Sequence, residues 1–157
     1  MAGSADVVLA TVRDFTDRSG AVRVVVLLDR GPDREAPVLE CEPGGPLTMG
    51  QGEDSFVVPP SDLVGIPPLS VRTPKPVPPT ALDVDPVRGQ VAAPLGVVEG
   101  LADAVTDLAR VLGGRTVAVV EFATRSGEPL SIAARPGEPV VLAIGEQQFE
   151  LPTRARG

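Results

Sequence analysis

Leu95-Gly-Val-Val-Glu-Gly-Leu-Ala-Asp-Ala-Val-Thr-Asp-Leu-Ala-Arg-Val-Leu112 carries the clearest helical period of the chain, and its surroundings determine the fold class. Gly96, Glu99, Asp103, Thr106, Asp107 and Arg110 fall on one polar stripe, while Leu95, Val98, Ala102, Val105, Leu108, Ala109 and Leu112 form a broad apolar surface. Pro94 suits the first turn, Gly113 a left-handed end, and Arg110 the negative pole of the dipole. So wide an apolar face has to lie on a sheet or another helix. The strands for that sheet follow at once. Thr116–Ala123, Pro129–Ala134, Val140–Ile144 and Gln148–Leu151 read as short antiparallel strands, cut by turn signals at Arg125-Ser-Gly, Arg135-Pro-Gly-Glu and Gly145-Glu-Gln.

Upstream, Asp6–Arg13, Ala21–Leu28, Pro37–Cys41 and Ser55–Val58 read as a second antiparallel meander. The two stretches look like copies of one unit. Phe15-Thr-Asp-Arg-Ser-Gly20 resembles Phe122-Ala-Thr-Arg-Ser-Gly127, Glu35-Ala-Pro-Val-Leu39 resembles Glu138-Pro-Val-Val-Leu142, and Gly52-Glu-Asp-Ser-Phe56 resembles Gly145-Glu-Gln-Gln-Phe149. These matches use all four phenylalanines and suggest a degenerate internal repeat whose Phe side chains plug the core. On this reading Asp17-Arg18-Ser19-Gly20 is a hairpin turn with Asp17 accepting from its own amides, and the first copy has no helix.

The expected fold is therefore α+β: two degenerate antiparallel β-meander repeats joined by a Pro-rich crossover, with one amphipathic helix over about 95–112 packed on the sheet. One domain spans 1–157, with repeat 1 over about 6–59, the crossover over 60–94, the helix and repeat 2 over about 95–153, and a short tail at 154–157. Its length suits a single core. Pro74-Lys-Pro-Val-Pro-Pro79 should be extended chain acting as a stiff spacer, with brief strands near Ala81–Val84 or Val87–Ala92.

Composition narrows function more than it names it. A net charge of −7, without Trp or Tyr, disfavours nucleic acid, which needs clustered Lys and Arg and stacking platforms. The chain has no histidine, which removes the commonest general base and transition-metal ligand. Cys41 is its one cysteine, and the flanking Glu40 and Glu42 should raise its thiol pKa and blunt reactivity. No membrane-length apolar run and no leader-like start are visible, so a cytoplasmic protein is expected. Lys75 is the one lysine among many arginines, a bias that suits a GC-rich bacterium.

Two places could hold a ligand. Asp83 and Asp85 share a strand face, and the glycine-dense Gly44–Gly52 stretch could cradle an anion, but it lacks the Lys-Ser/Thr and strand-to-helix setting of a phosphate loop. The solvent-facing linker and the elaborated hairpin connection are the simpler readings. The chain is expected to be a non-enzymatic protein-binding or assembly module, that is an adaptor, escort chaperone or complex subunit. It would need no cofactor and no metal, and would engage a protein partner or itself. Two alternatives are a small-ligand-binding domain or Asp-dependent enzyme with its site near Gly44–Gly52, and a structural subunit of a larger particle. The residues expected at protein contacts are Arg18 and Arg125 at matching hairpin tips, Val22, Val24 and Val26 on a strand apolar on both faces, and Pro76 and Pro79 in the Pro-x-x-Pro spacing.

Overall fold

A computed structural model describes residues 4–28, 37–51, 53–71, 83–85, 90–92, 95–113, 116–124, 129–144 and 147–150. The fold is α+β. Helix α1 (Ser4–Ser19) precedes strands β1 (Arg23–Leu27), β2 (Val38–Cys41), β3 (Leu47–Gln51) and β4 (Asp54–Val58). A 3-10 turn at Pro60–Leu63 and a small hairpin of β5 (Asp83–Asp85) and β6 (Gln90–Ala92) follow. Helix α2 (Leu95–Leu112) then leads into β7 (Val117–Phe122), β8 (Leu130–Ala134), β9 (Val141–Ile144) and β10 (Gln147–Glu150). Among the described residues eight strands form one sheet in the order β10-β9-β8-β7-β1-β2-β3-β4, with every neighbouring pair antiparallel.

That order reads alike from either edge. Each half is a helix followed by a four-stranded meander, and the halves join where β1 pairs with β7, with Val25 opposite Val119. Helix α1 lies over β1 and β2, and α2 over β7 and β8. The shared core beneath them holds Leu9, Val12 and Phe15 from α1, Leu101, Val105 and Leu108 from α2, and Val24, Val26, Leu39, Val120, Leu130 and Ile132 from the sheet. Each fully buried large side chain contributes on the order of 1.5–3 kcal/mol gross.

The largest departure from the sequence reading is α1. Asp6–Arg13 is helix, not strand, and the helix runs on through Phe15 to Ser19. Val7-Val8 and Thr11-Val12 suggest a strand because β-branched residues favour one. The buried positions Leu9, Val12, Phe15, Thr16 and Ser19 nevertheless recur at helical spacing. Two buried hydroxyls that look out of place are satisfied within the helix: Thr11 Oγ1 donates to Val7 O at 2.6 Å and Thr16 Oγ1 to Val12 O at 2.7 Å.

Phe15 therefore sits on a helix and Phe122 on a strand, so that pair does not mark equivalent positions. A different alignment follows the topology. Gly20 and Gly113 end the two helices with φ of 79° and 82°, and Gly44 and Gly137 turn the second hairpin of each half with φ of 71° and 82°. Pro43-Gly44-Gly45-Pro46 stands the same distance from Pro136-Gly137-Glu138-Pro139 as Phe56 does from Phe149 and Val12 from Val105.

The Gly44–Gly52 stretch is not a long loop, because Leu47–Gln51 is strand β3, paired with both β2 and β4. Phe56 is not a core plug, since half of it (51%) is exposed. Residues 72–82 of the proline-rich crossover, including Pro74–Pro79, lie outside the described residues. Its first part follows α1: Leu63 is buried, and Leu69 N donates to Thr11 Oγ1 at 2.9 Å.

Candidate interaction surface

The helix layer covers the middle of the sheet and stops short of the β4 edge. Phe56 lies opposite Met49 on the face that the helices cover elsewhere, and Val58 lies opposite Leu47. Leu47 is fully buried, Met49 is half-buried and Phe56 is mostly open, so cover fades outward along the sheet. On the other face Val57 lies opposite Thr48 and is 64% exposed. Since β4 ends the sheet order, its outward N–H and C=O groups have no strand partner among the described residues. Val64 and Leu69 are further exposed apolar residues in the segment that follows.

An anchor holds the neighbouring turn. From the last turns of α1, Asp17 Oδ1 accepts from Gly44 N at 3.3 Å, and Arg13 Nη1 donates to Gly45 O. Arg13 Nε also pairs with Asp17 at 3.3 Å. Asp17 thus serves the β2–β3 turn and not its own segment, which corrects its expected role. In the second half the corresponding helix end uses its arginine locally: Arg110 pairs with Asp107 on the same helix at 2.5 Å.

The sheet face turned away from the helices is half-buried and apolar at its centre. Val25, Leu27, Val38, Val117, Val119, Ala133 and Val141 point to this side, at one end of which Arg23 meets Glu40 at 2.8 Å and Glu121 at 4.0 Å. Hydrogen bonding and attraction to Glu40 raise the Arg23 pKa above its ordinary value.

The expected contact residues scatter under this geometry. Val24 and Val26 are fully buried beneath the helices and offer nothing to a partner, while Val22 is exposed and its N–H donates to Glu121 O at 2.8 Å. Alternation along β1 explains the split: an apolar run reads as two-sided, yet one side is core and the other is the open face. Arg18 lies in the last turn of α1, 3.4 Å from Asp14, and not at a hairpin tip. Arg125, Pro76 and Pro79 lie outside the described residues.

Nor do the other candidates assemble a reaction centre. Cys41 is buried, and its pKa is raised chiefly by that burial, with Asp17 and Glu42 adding to it. Flanking carboxylates are thus the lesser cause. Asp83 and Asp85 lie on β5, opposite Ala92 and Gln90. Among the described residues no group of His, Cys, Asp and Glu is placed to hold a metal, and no helix is long and apolar enough to cross a membrane. Compared with known proteins, the chain matches no family model, no curated protein and no solved structure.

The β4 edge was missed in the sequence because an edge strand and an inner strand have the same local pattern. One signal was present: Ser55-Phe56-Val57-Val58 puts apolar residues on both faces of a strand that Pro59 ends.

Proposed function

We propose that this chain is a non-enzymatic protein-binding or assembly module, working in the cytoplasm of a GC-rich bacterium and built from two related half-units. One observation carries the reading: among the described residues strand β4 ends the sheet, with Phe56 and Val57 exposed on its two faces. Folded chains usually protect such an edge, because its free backbone groups and apolar side chains recruit further strands. An adaptor, an escort chaperone or a complex subunit would keep it available. The absence of histidine and the burial of the one thiol support a binding role over catalysis.

Cross-linking in the source cell, followed by mass spectrometry, tests this. Carboxylate-reactive chemistry is needed because Lys75 is the one lysine. The expected result is a recurrent partner joined through Glu53, Asp54 or Asp62. Repeated recovery of the chain alone, with a concentration-independent monomer mass in light scattering, would overturn the proposal.

The open sheet face supports a second reading, homodimerisation. Its apolar rows centre on the Val25–Val119 pair, where the two halves meet, so a second copy could pack there about a twofold axis. Val119→Arg would then convert a dimer to a monomer in sedimentation. An unchanged mass would reject this interface.

A further inference from the structure

We infer that the β4 edge takes as its added strand an extended segment of a partner protein in which apolar residues alternate with Lys or Arg. This rests on the protein-binding reading above and adds the partner's chemistry and its mode of docking.

The backbone favours a strand. The β3–β4 ladder runs without a bulge from Leu47 opposite Val58 to Gln51 opposite Asp54, so β4 presents a regular outer edge. Asp54–Val58 contains no Pro, Lys or Arg, the residues that commonly protect an edge. An extended segment can satisfy the outward groups by the ladder that inner strands use, which a helix cannot.

The side chains favour alternation. Residues two apart share a face, so a paired segment sets one set of side chains beside Phe56 on the helix side and the other beside Val57 on the far side. Apolar residues on the segment would pack beside exposed Val57 on the far side, while the alternate, basic set would lie over the ring of Phe56 and reach Asp54, which shares its face. Among the described residues neither helix packs extensively on β3 or β4, and the Phe56 ring stays half exposed.

Charge selects the other residues. From Pro46 to Val71 the chain carries Glu53, Asp54 and Asp62 and no Lys or Arg, and all three carboxylates are on exposed residues. Arg13, on the adjoining helix, is committed to Asp17 and Gly45 O. A second copy of this acidic chain would bring three more carboxylates to the same edge, whereas a basic segment would neutralise those present.

The test uses the full chain with three synthetic nine-residue probes. One alternates Val with Lys and Arg, one replaces each basic residue by Glu, and one is the basic peptide with a central Pro. Titration by fluorescence anisotropy should give at least about tenfold tighter binding for the first than for either other probe. Hydrogen exchange should slow at residues 54–58 when it binds. The Pro probe keeps the charge and loses the ladder, so it separates strand addition from general attraction to an acidic protein. Asp54→Arg should weaken the basic peptide several-fold, and Val57→Lys, at an exposed site, should do the same without unfolding the chain. Equal binding of the basic and Pro probes, or protection away from 54–58, overturns the inference. A cellular partner cross-linked at Glu53 or Asp54 through an acidic or helical segment also overturns it, yet leaves the protein-binding reading standing. Absence of any partner removes that reading itself.

Discussion

The two halves of the sheet share one path and fill it differently. Where α2 sets Leu101, Val105, Leu108 and Ala109 against the sheet, α1 sets Val12 and Phe15 together with the hydroxyls of Thr11, Thr16 and Ser19. Both helices bury a full face. The backbone path tolerates either filling because each hydroxyl finds a nearby backbone partner: Thr16 bonds back to Val12 O, and Ser19 Oγ accepts from Ala21 N at 3.2 Å. Coverage of the sheet is thus the requirement, and apolar composition is only the simpler way to meet it.

Truncation of the shared core should destabilise the chain most. Phe15→Ala and Leu108→Ala should each cost about 3–5 kcal/mol, read from the urea midpoint, because both side chains are fully buried. Phe56→Ala should change stability by no more than about 0.5–1 kcal/mol, since that ring is half exposed. A single unfolding transition is expected in every variant, as the β1–β7 ladder makes one sheet of the halves. Two separated transitions in Phe15→Ala would show that the halves fold independently.

The helix-to-turn anchor sharpens the contrast. Asp17→Ala should cost about 1–2 kcal/mol, because it frees the Gly44 amide and removes the partner of Arg13. Arg110→Ala should fall within about 0.5 kcal/mol, its pairing with Asp107 being an exposed contact on one helix. Equal effects would show that the anchor at the first turn carries no special load.

Gly44 and Gly137 test likeness instead of difference. Each has positive φ, and a Cβ at either would meet nothing within 4 Å. Alanine should therefore cost both halves the same backbone penalty, about 1–2 kcal/mol. A large disparity in thermal midpoint would mean that the two turns are held by different forces.

The smallest effect near neutrality belongs to Cys41. Burial keeps the thiol protonated beyond its ordinary value, so once pH passes that value the native state holds more protons than the unfolded chain. Stability should be insensitive to this group near neutral pH and decline as the solution becomes alkaline, until the native thiol itself ionises. Cys41→Ala should flatten that decline in urea midpoints measured from about pH 7 to about pH 10.

Much of the fold was legible because several elements announce themselves locally. Helix α2 has a strong period with Pro94 before it and Gly113 after it, and β7 to β9 alternate between Arg- and Gly-marked turns. Helix α1 was not legible by the same route. Its β-branched residues mimic a strand over a short window, and its buried threonines blur the apolar stripe that defines a helix. Strand β3 was hidden by the glycines at its margins. Of the candidate contacts, Val24 and Val26 were misread because an apolar strand does not say which side the helices will cover.

By itself the sequence determined the class of fold, the aliphatic core, the boundaries of α2 and the lack of histidine chemistry, since these depend on composition or on neighbours along the chain. Tertiary structure alone decided that α1 is a helix, that β1 and β7 join the halves, and that β4 is left at an edge. Those outcomes depend on long-range pairing and on which surfaces the helices reach. Edge and centre have the same local chemistry; only the packed molecule distinguishes a strand that is covered from one that remains open.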